Sequence, residues 1–217
     1  MRHYAPGANV SERAELPPPT AVSTVIFALK DAEIWLPLVR RVRQPYLGDW
    51  ALPGGPVTWE ESLTAVAERT LEQTTGLHPD YLEQLYTFGE VDRAVANRVI
   101  SIVYWALVDT MPETELNVAW YPVSALPALA FDHQRIIEYA LQRLRNKVEY
   151  AEVAHHLIGE DFTLSQLRQV HEAVLGQALD NANFRRQMLA SGVLEATGEH
   201  RTLGAHRPAM VYRYREI

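Results

Sequence analysis

Gly55-Pro-Val-Thr-Trp-Glu-Glu61-Ser-Leu-Thr-Ala-Val-Ala-Glu-Arg69-Thr70-Leu71-Glu72-Gln73-Thr74-Thr-Gly76-Leu77 is the stretch that decides how this chain is read. Leu63, Ala67 and Leu71 recur every fourth residue, the spacing of one buried helical stripe. Glu61 stands near the start of that helix, where an acid favours the positive end of the dipole, and Gly76 supplies a C-terminal stop. An amphipathic helix between two glycine turns would account for this much, with Glu68 and Glu72 as ordinary solvated charges. It would not account for Leu52-Pro53-Gly54-Gly55 ahead of the helix, Gly76-Leu77 behind it, and Arg69 in fixed register between them.

That frame resembles the Nudix box, Gly-x5-Glu-x7-Arg-Glu-U-x-Glu-Glu-x-Gly-U with U apolar, in spacing but not in acids. The glutamate after the arginine and the following glutamate pair are replaced by Thr70, Gln73 and Thr74. In this family the box holds divalent metal through carboxylates while water attacks a pyrophosphate. Mg²⁺ prefers charged oxygen ligands, which hydroxyl and amide groups replace poorly. Losing a positioned general base alone costs about 10²–10⁴ in rate. Glu68 and Glu72 remain, four apart on one helix face, but out of register with the box. Bringing them into place would turn the helix and expose Leu63, Ala67 and Leu71. The expectation is a scaffold that binds a nucleoside diphosphate derivative without cleaving it, with no catalytic residue and no metal ligand assigned.

Composition bounds the rest. A chain of 217 residues with 47% hydrophobic content buries a sizeable core as one large or two modest domains. It has no cysteine, which removes disulfides and thiolate chemistry. The first residues carry no apolar signal region, and no run is long and apolar enough to span a bilayer, so a soluble cytoplasmic protein without membrane contact is expected. Net charge is -7, unevenly spread: residues 1–139 hold 10 basic and 18 acidic side chains, residues 140–217 hold 10 and 9. The end of the chain is where phosphate contacts are expected.

A proline-rich tail ends at Pro17-Pro18-Pro19. Val22 to Leu29 and Ile34 to Val42 read as two strands across an Asp31-Ala32-Glu33 turn. Leu82 to Phe88 and Arg98 to Val108 are further β-rich segments, the second suited to a buried strand. Tyr121 to Pro127 closes this unit. Gln134 to Lys147 has the spacing of a bridging helix, whereas Glu149 to Leu157 fits either a helix or a short strand. Thr163 to Gly176 reads as a capped helix, and a second follows from about Asn181 to Ala190. Val193 to Gly198 and Pro208 to Tyr214 then form two strands around a basic tip. That order is a winged helix-turn-helix.

Base reading would fall on the second helix, where Asn181, Asn183, Arg185 and Arg186 lie toward the end that enters the major groove. Asparagine pairs with adenine and arginine with guanine. Phe184, Met188 and Leu189 are expected to face the core. Thr163, Ser165 and Gln166 at the start of the first helix, and Arg201, His206 and Arg207 at the wing, are further DNA-contact candidates, although basic hairpin tips and Asn/Arg helix faces are often merely solvated.

Taken together, the chain resembles the Nudix-related transcriptional regulators of NAD metabolism, from about Val22 to Tyr214. Beyond the box, the resemblance rests on Trp50 to Gly55, Gln84 to Gly89, Asp92-Arg93, Arg98 to Tyr104, Phe131-Asp132-His133, Ala140 to Arg145, and Asn183 to Arg186. It implies an α+β fold: a Nudix-like mixed sheet with flanking helices, followed by a winged helix-turn-helix domain. The implied division is a tail at 1–20, a ligand domain at 21–132, a linker helix at 133–148 and a DNA-binding domain at 149–217. It also implies a dimeric repressor of NAD biosynthesis or salvage genes, bound to a palindromic operator in double-stranded DNA. Release would follow binding of ADP-ribose or a related nucleotide, with or without Mg²⁺ and with no required cofactor. Carried over by position, Gly54, Gly55, Glu61, Arg69 and Glu72 mark the ligand side of the box. Arg40, Arg41 and Arg43, and likewise Arg93 and Arg98, are candidates to charge a diphosphate site, with Asp92 as a structural partner. An atypical Nudix hydrolase acting on ADP-ribose and a ligand-binding module that contacts protein remain as alternatives.

Overall fold

The computed structural model describes residues 18–91, 93, 98–114, 116–150, 153–202 and 208–215. The order of elements is α+β throughout. β1 (Thr20–Lys30) is the central strand of a seven-stranded mixed sheet. It pairs antiparallel with β2 (Glu33–Arg40) and, near its start, with β4 (Gly54–Pro56). Its other edge runs parallel to β6 (Ile100–Val108), which carries β5 (Tyr81–Phe88) antiparallel beyond it. β3 (Trp50–Ala51) and β7 (Val118–Pro122) both pair with β2.

Burial explains these positions. Val25, Ile26, Phe27 and Ala28 of β1 and Val103 to Leu107 of β6 are all buried, as a strand covered on both faces requires. The β1–β2 hairpin closes through Asp31 and Ala32, both left-handed (φ 51° and 59°), the geometry of a type I′ turn. The segment around Tyr121, anticipated only as a closing stretch, instead contributes β7.

α1 (Leu63–Thr75) follows the box. Ser62 caps it by accepting from the Ala65 N–H at 3.1 Å, and Gly76 ends it in the left-handed conformation, donating to Glu72 O at 2.7 Å. Ala67 and Leu71 of the expected stripe are fully buried.

α2 (His133–Tyr150) lays Ile136, Ile137, Ala140, Leu144 and Val148 into a single apolar cluster. The same cluster includes Leu36 and Trp105 of the mixed sheet and Leu167, Phe184 and Tyr212 of the C-terminal unit. Of the ambiguous segment, Glu149 and Tyr150 end α2 and Ala154–Leu157 form a 3₁₀ turn.

The C-terminal unit is a winged helix. β8 (Phe162–Thr163) leads into α3 (Leu164–Leu175), then α4 (Asn181–Ala190), β9 (Leu194–Arg201) and β10 (Ala209–Tyr214), with the strands ordered β8-β10-β9. Thr163 and Gln166 form a reciprocal capping box at the start of α3. Phe184 of α4 is buried and Met188 packs against the core. Leu189 is 44% exposed, against the expectation that it faces inward, because α4 offers only a narrow face to α3. Among the described residues no helix is long and apolar enough to cross a membrane.

Replacing Thr163 by Ala removes the hydroxyl that accepts the Gln166 N–H and leaves the Thr163 N–H bonded to Gln166 Oε1, and urea titration should show a loss of about 1 kcal/mol. Stability should also depend on histidine. Burial pushes His133, His156 and His171 down to about 4. In the unfolded chain these groups titrate near about 6.5. Below that value the unfolded state takes up protons that the folded state refuses, so stability is intact above about pH 6.5 and falls toward pH 4. Thermal melts across this window should show that decline, and His171→Phe, which places an apolar ring beside Phe184, should shrink it.

Candidate functional site

A cavity of about 410 Å³ opens where β1, β4, β6 and the start of α2 meet. Its position follows from the glycines of the box. A Cβ on Gly54 would stand 2.6 Å from Val22 O, so only glycine lets β4 lie this close to β1. The two buried serines on the floor, Ser23 of β1 and Ser101 of β6, hydrogen-bond through their hydroxyls at 3.0 Å.

The rim is cationic. Arg41, Arg43 and Arg93 line the cavity, and among the described residues no acidic side chain does. Arg41 donates from Nε to Pro45 O at 2.8 Å and places its guanidinium 4.6 Å from the Phe131 ring centroid. Arg93 is held tightly: Nε and Nη2 reach the two oxygens of Asp132 at 3.0 and 2.7 Å, and Nη1 donates to Val99 O at 3.1 Å. Asp92, the expected partner, lies outside the described residues. Asp132 fills that role.

His133, the first residue of α2, closes the cavity floor. Its Nδ1 accepts the Leu52 N–H at 2.9 Å, and burial is the main reason its ring stays neutral. Phe131, two residues earlier, sits at φ 56°, a region that bulky side chains rarely adopt.

Of the ligand-side candidates, the fold brings Arg41, Gly54, Gly55 and Arg93 to this cavity. Arg40 is exposed and turned to Gly48 O, and Arg98 donates to Gly89 O; neither lines it. Glu61 and Arg69 pair with each other through two bonds of 2.7 and 3.0 Å, which holds the Glu61 carboxyl below the usual range. Glu72 is exposed and 3.4 Å from His78. Ser23, Ser101, Phe131 and His133 were not anticipated as cavity residues. The only signal for the serines is a small polar residue within each otherwise apolar strand, Ser23 beside Thr24 in β1 and Ser101 in β6.

The donor set of the box does not fit a metal ion. Thr70 and Thr74 are buried, with the Thr74 hydroxyl turned to Thr70 O at 2.6 Å. Gln73 is exposed. Among the described residues no group of three His, Asp or Glu side chains is placed to hold a metal.

The second site lies on the winged helix. Ser165 of α3, Asn181 and Arg185 of α4 and His200 of β9 line one groove between the helices and the wing. Asp180 caps α4 by accepting from the Asn183 N–H at 2.8 Å, leaving Asn181, Asn183, Arg185 and Arg186 exposed. Arg186 donates to Asn183 Oδ1 at 2.6 Å. Two of the DNA-contact candidates take part in the α3 cap. Thr163 is fully buried and its hydroxyl is spent on the α3 cap, and Gln166 returns its side chain to the same cap. Arg201 is half-buried and donates to Asp161 O at 3.1 Å. His206 and Arg207 lie outside the described residues.

Comparison with known proteins places this geometry. The NUDIX domain model matches residues 17–141, and the NrtR DNA-binding winged helix domain model matches residues 154–214. The chain is 33% identical to the ADPR responsive transcriptional repressor NtrR of Acinetobacter baylyi, over 94% of this chain and 85% of that protein. An ADP-ribose pyrophosphatase of Methanocaldococcus jannaschii is 34% identical over 58% of this chain and 75% of its own length. The crystal structure of Shewanella oneidensis NrtR complexed with a 27mer DNA superposes with a TM-score of 0.82 at 34% identity, covering 90% of this chain and 93% of that one. The NUDIX domain of the same protein complexed with ADP ribose gives 0.54 at 32% identity, covering 64% and 94%. With both domains matched in order and the likeness running nearly end to end, the chain belongs to the NrtR family, a NUDIX domain joined to an NrtR winged helix.

Proposed function

We infer that this protein is a DNA-binding transcriptional repressor of NAD biosynthesis or salvage genes, released from its operator by ADP-ribose. The observation that carries the reading is a cation-rimmed cavity without a metal-holding acid set, joined through α2 to a winged helix whose reading helix is exposed. A diphosphate suits Arg41 and Arg43, whose guanidiniums pair with phosphate oxygens in planar, two-bond geometry. The close approach of Gly54 and Gly55 gives such a ligand backbone to lie against. Asn181 and Arg185 carry the two donor types that read adenine and guanine. A homodimer would present two such helices to the half-sites of a palindrome.

Binding without cleavage follows from the box. Thr70, Gln73 and Thr74 supply no carboxylate, and Glu61 is committed to Arg69. ADP-ribose held here is polarised by arginines alone, and Mg²⁺ is not required.

Genomic DNA fragments recovered on the purified protein at moderate salt should be enriched in a palindrome near NAD-metabolism genes, and that enrichment should vanish with ADP-ribose. Arg185→Ala should weaken capture and relax the sequence preference by about 1–3 kcal/mol at one base position. Unselective capture, indifferent to ADP-ribose, overturns the reading. The relationship to a pyrophosphatase makes hydrolysis the competing function. ADP-ribose incubated with the protein and Mg²⁺ or Mn²⁺ should remain intact by chromatography; AMP and ribose 5-phosphate that disappear with Glu72→Gln would establish the enzyme.

A further inference from the structure

Phe131-Asp132-His133 forms the seam between the cavity and α2, and each side chain holds a different wall. Phe131 packs against the Arg41 guanidinium and meets the Tyr46 ring edge-on at 4.8 Å, tying down the loop after β2. Asp132 clamps Arg93 and with it the β5–β6 connection. His133 takes the Leu52 N–H and fixes the segment ahead of β4. Three walls distant in sequence thereby meet on the start of one helix. Further along, that helix donates from Arg145 Nε to Val174 O at 3.1 Å, near the end of α3.

His133 differs from its two neighbours in having a donor to spare. With Nδ1 accepting, the proton of the neutral ring resides on Nε2. The residue is 7% exposed and lines the cavity, and Nε2 has no hydrogen-bond partner among the described residues. Nε2 therefore faces the open cavity, where the guanidiniums beside it can only donate, and it is available to an acceptor oxygen that enters: water's in the free protein, a ligand's in the bound one. The left-handed backbone at Phe131 adds a second sign, because strained backbone of this kind clusters at ligand clamps and switch regions.

We propose that His133 is the sensing residue of the cavity: its Nε2–H donates to an oxygen of the ligand's diphosphate, and that bond, made by the first residue of α2, transmits occupancy to the winged helix. The inference rests on the cavity being the ADP-ribose site and names how that site regulates DNA binding. Arg41 and Arg43 supply affinity from the loop after β2. His133 alone among the cavity's polar side chains belongs to α2.

His133→Asn separates the two roles of the ring, since an asparagine oxygen stands near the Nδ1 position and keeps the Leu52 bond while the Nε2 donor is removed. His133→Gln does the reverse. For the full chain and both variants, ADP-ribose binding is measured by calorimetry, and affinity for the captured operator is measured with and without saturating ADP-ribose. The asparagine variant should bind operator within about twofold of the parent when ligand is absent. It should bind ADP-ribose about tenfold or more weakly, and at saturation it should lose operator affinity by a factor about tenfold smaller than the parent does. The glutamine variant should recover part of the ligand response. Unchanged ligand affinity and release in the asparagine variant overturn the proposal. So does weaker binding with full release at saturation, which reduces His133 to a simple contact.

Histidine ¹⁵N spectra of the unaltered protein give a check that no folding defect confounds. The His133 Nε2 resonance should move on addition of ADP-ribose. If calorimetry shows binding and that resonance stays still, the proposal fails while the cavity assignment stands. If the unaltered protein gives no binding heat at all, the ADP-ribose reading itself fails, and this inference with it.

Discussion

The buried stripe of α2 ties the two units of this protein together. Ile136, Ile137, Ala140, Leu144 and Val148 belong to one apolar cluster that reaches from Trp105 in the mixed sheet to Phe184 in the recognition helix. Each fully buried aliphatic side chain of this kind contributes about 1.5–3 kcal/mol. Inverting a two-state equilibrium from 1:99 to 99:1 takes about 5.5 kcal/mol of differential ligand binding. Lifting α2 out of the shared core would cost more than that. On the reading proposed above, a ligand in the cavity would act by shifting how α2 packs with the core intact, and not by swinging two domains on a loose tether. Lys147 adds to the constraint by bridging α2 to Tyr81 and Glu83 on β5 and lying over the Trp105 ring.

The altered box is consistent with the same demand. Positions 70 and 74 lie on the buried face of α1. Carboxylates there need a metal to offset the cost of desolvating their charge, and without one they would be buried and unpaired. Threonines carry no charge to desolvate, and the Thr74 hydroxyl turns back to the Thr70 carbonyl one turn earlier in the helix. A ligand-free state that needs no metal is also the state that must hold DNA. The changes that weaken the case for hydrolysis thus stabilise the form in which a repressor works.

How much of this was legible in the sequence follows the range of each interaction. α1 and α3 are readable to within a residue or two, because Gly76, Thr163 and Gly176 fix their ends through bonds spanning three or four residues, and α4 keeps the expected Asn181–Ala190 bounds behind an Asp180 cap that the sequence reading does not name. β7 was missed, since its pairing with β2 joins residues some eighty positions apart and its own five residues carry no alternation. The cavity was half legible. The box pointed to Gly54 and Gly55, and the arginine run to Arg41, but Ser23, Ser101 and His133 reach the cavity only through the parallel β1–β6 pairing and the docking of α2. Thr163 misled for a physical reason: a residue type suited to phosphate contact is equally suited to an N-cap, and burial decides between them.

Placement of the recognition helix then depends on little of its own. α4 buries Phe184 and partly buries Met188, and its polar face is exposed. Its position is set by α3, through Arg168, which bonds Glu172 and the Leu179 carbonyl across the turn between the helices. α3 in turn is packed on α2 and held by Arg145. α2 is 18 residues long, a span of about 27 Å at 1.5 Å per residue. A tilt of about 5° at its cavity end would displace its far end by about 2 Å, more than a hydrogen bond to a base edge tolerates. In a twofold dimer the displacement occurs at both half-sites, whose separation the DNA fixes at whole helical turns of about 34–36 Å. In the dimer proposed above, a ligand that moves only the first turn of α2 would have leverage enough to disengage both helices without touching either.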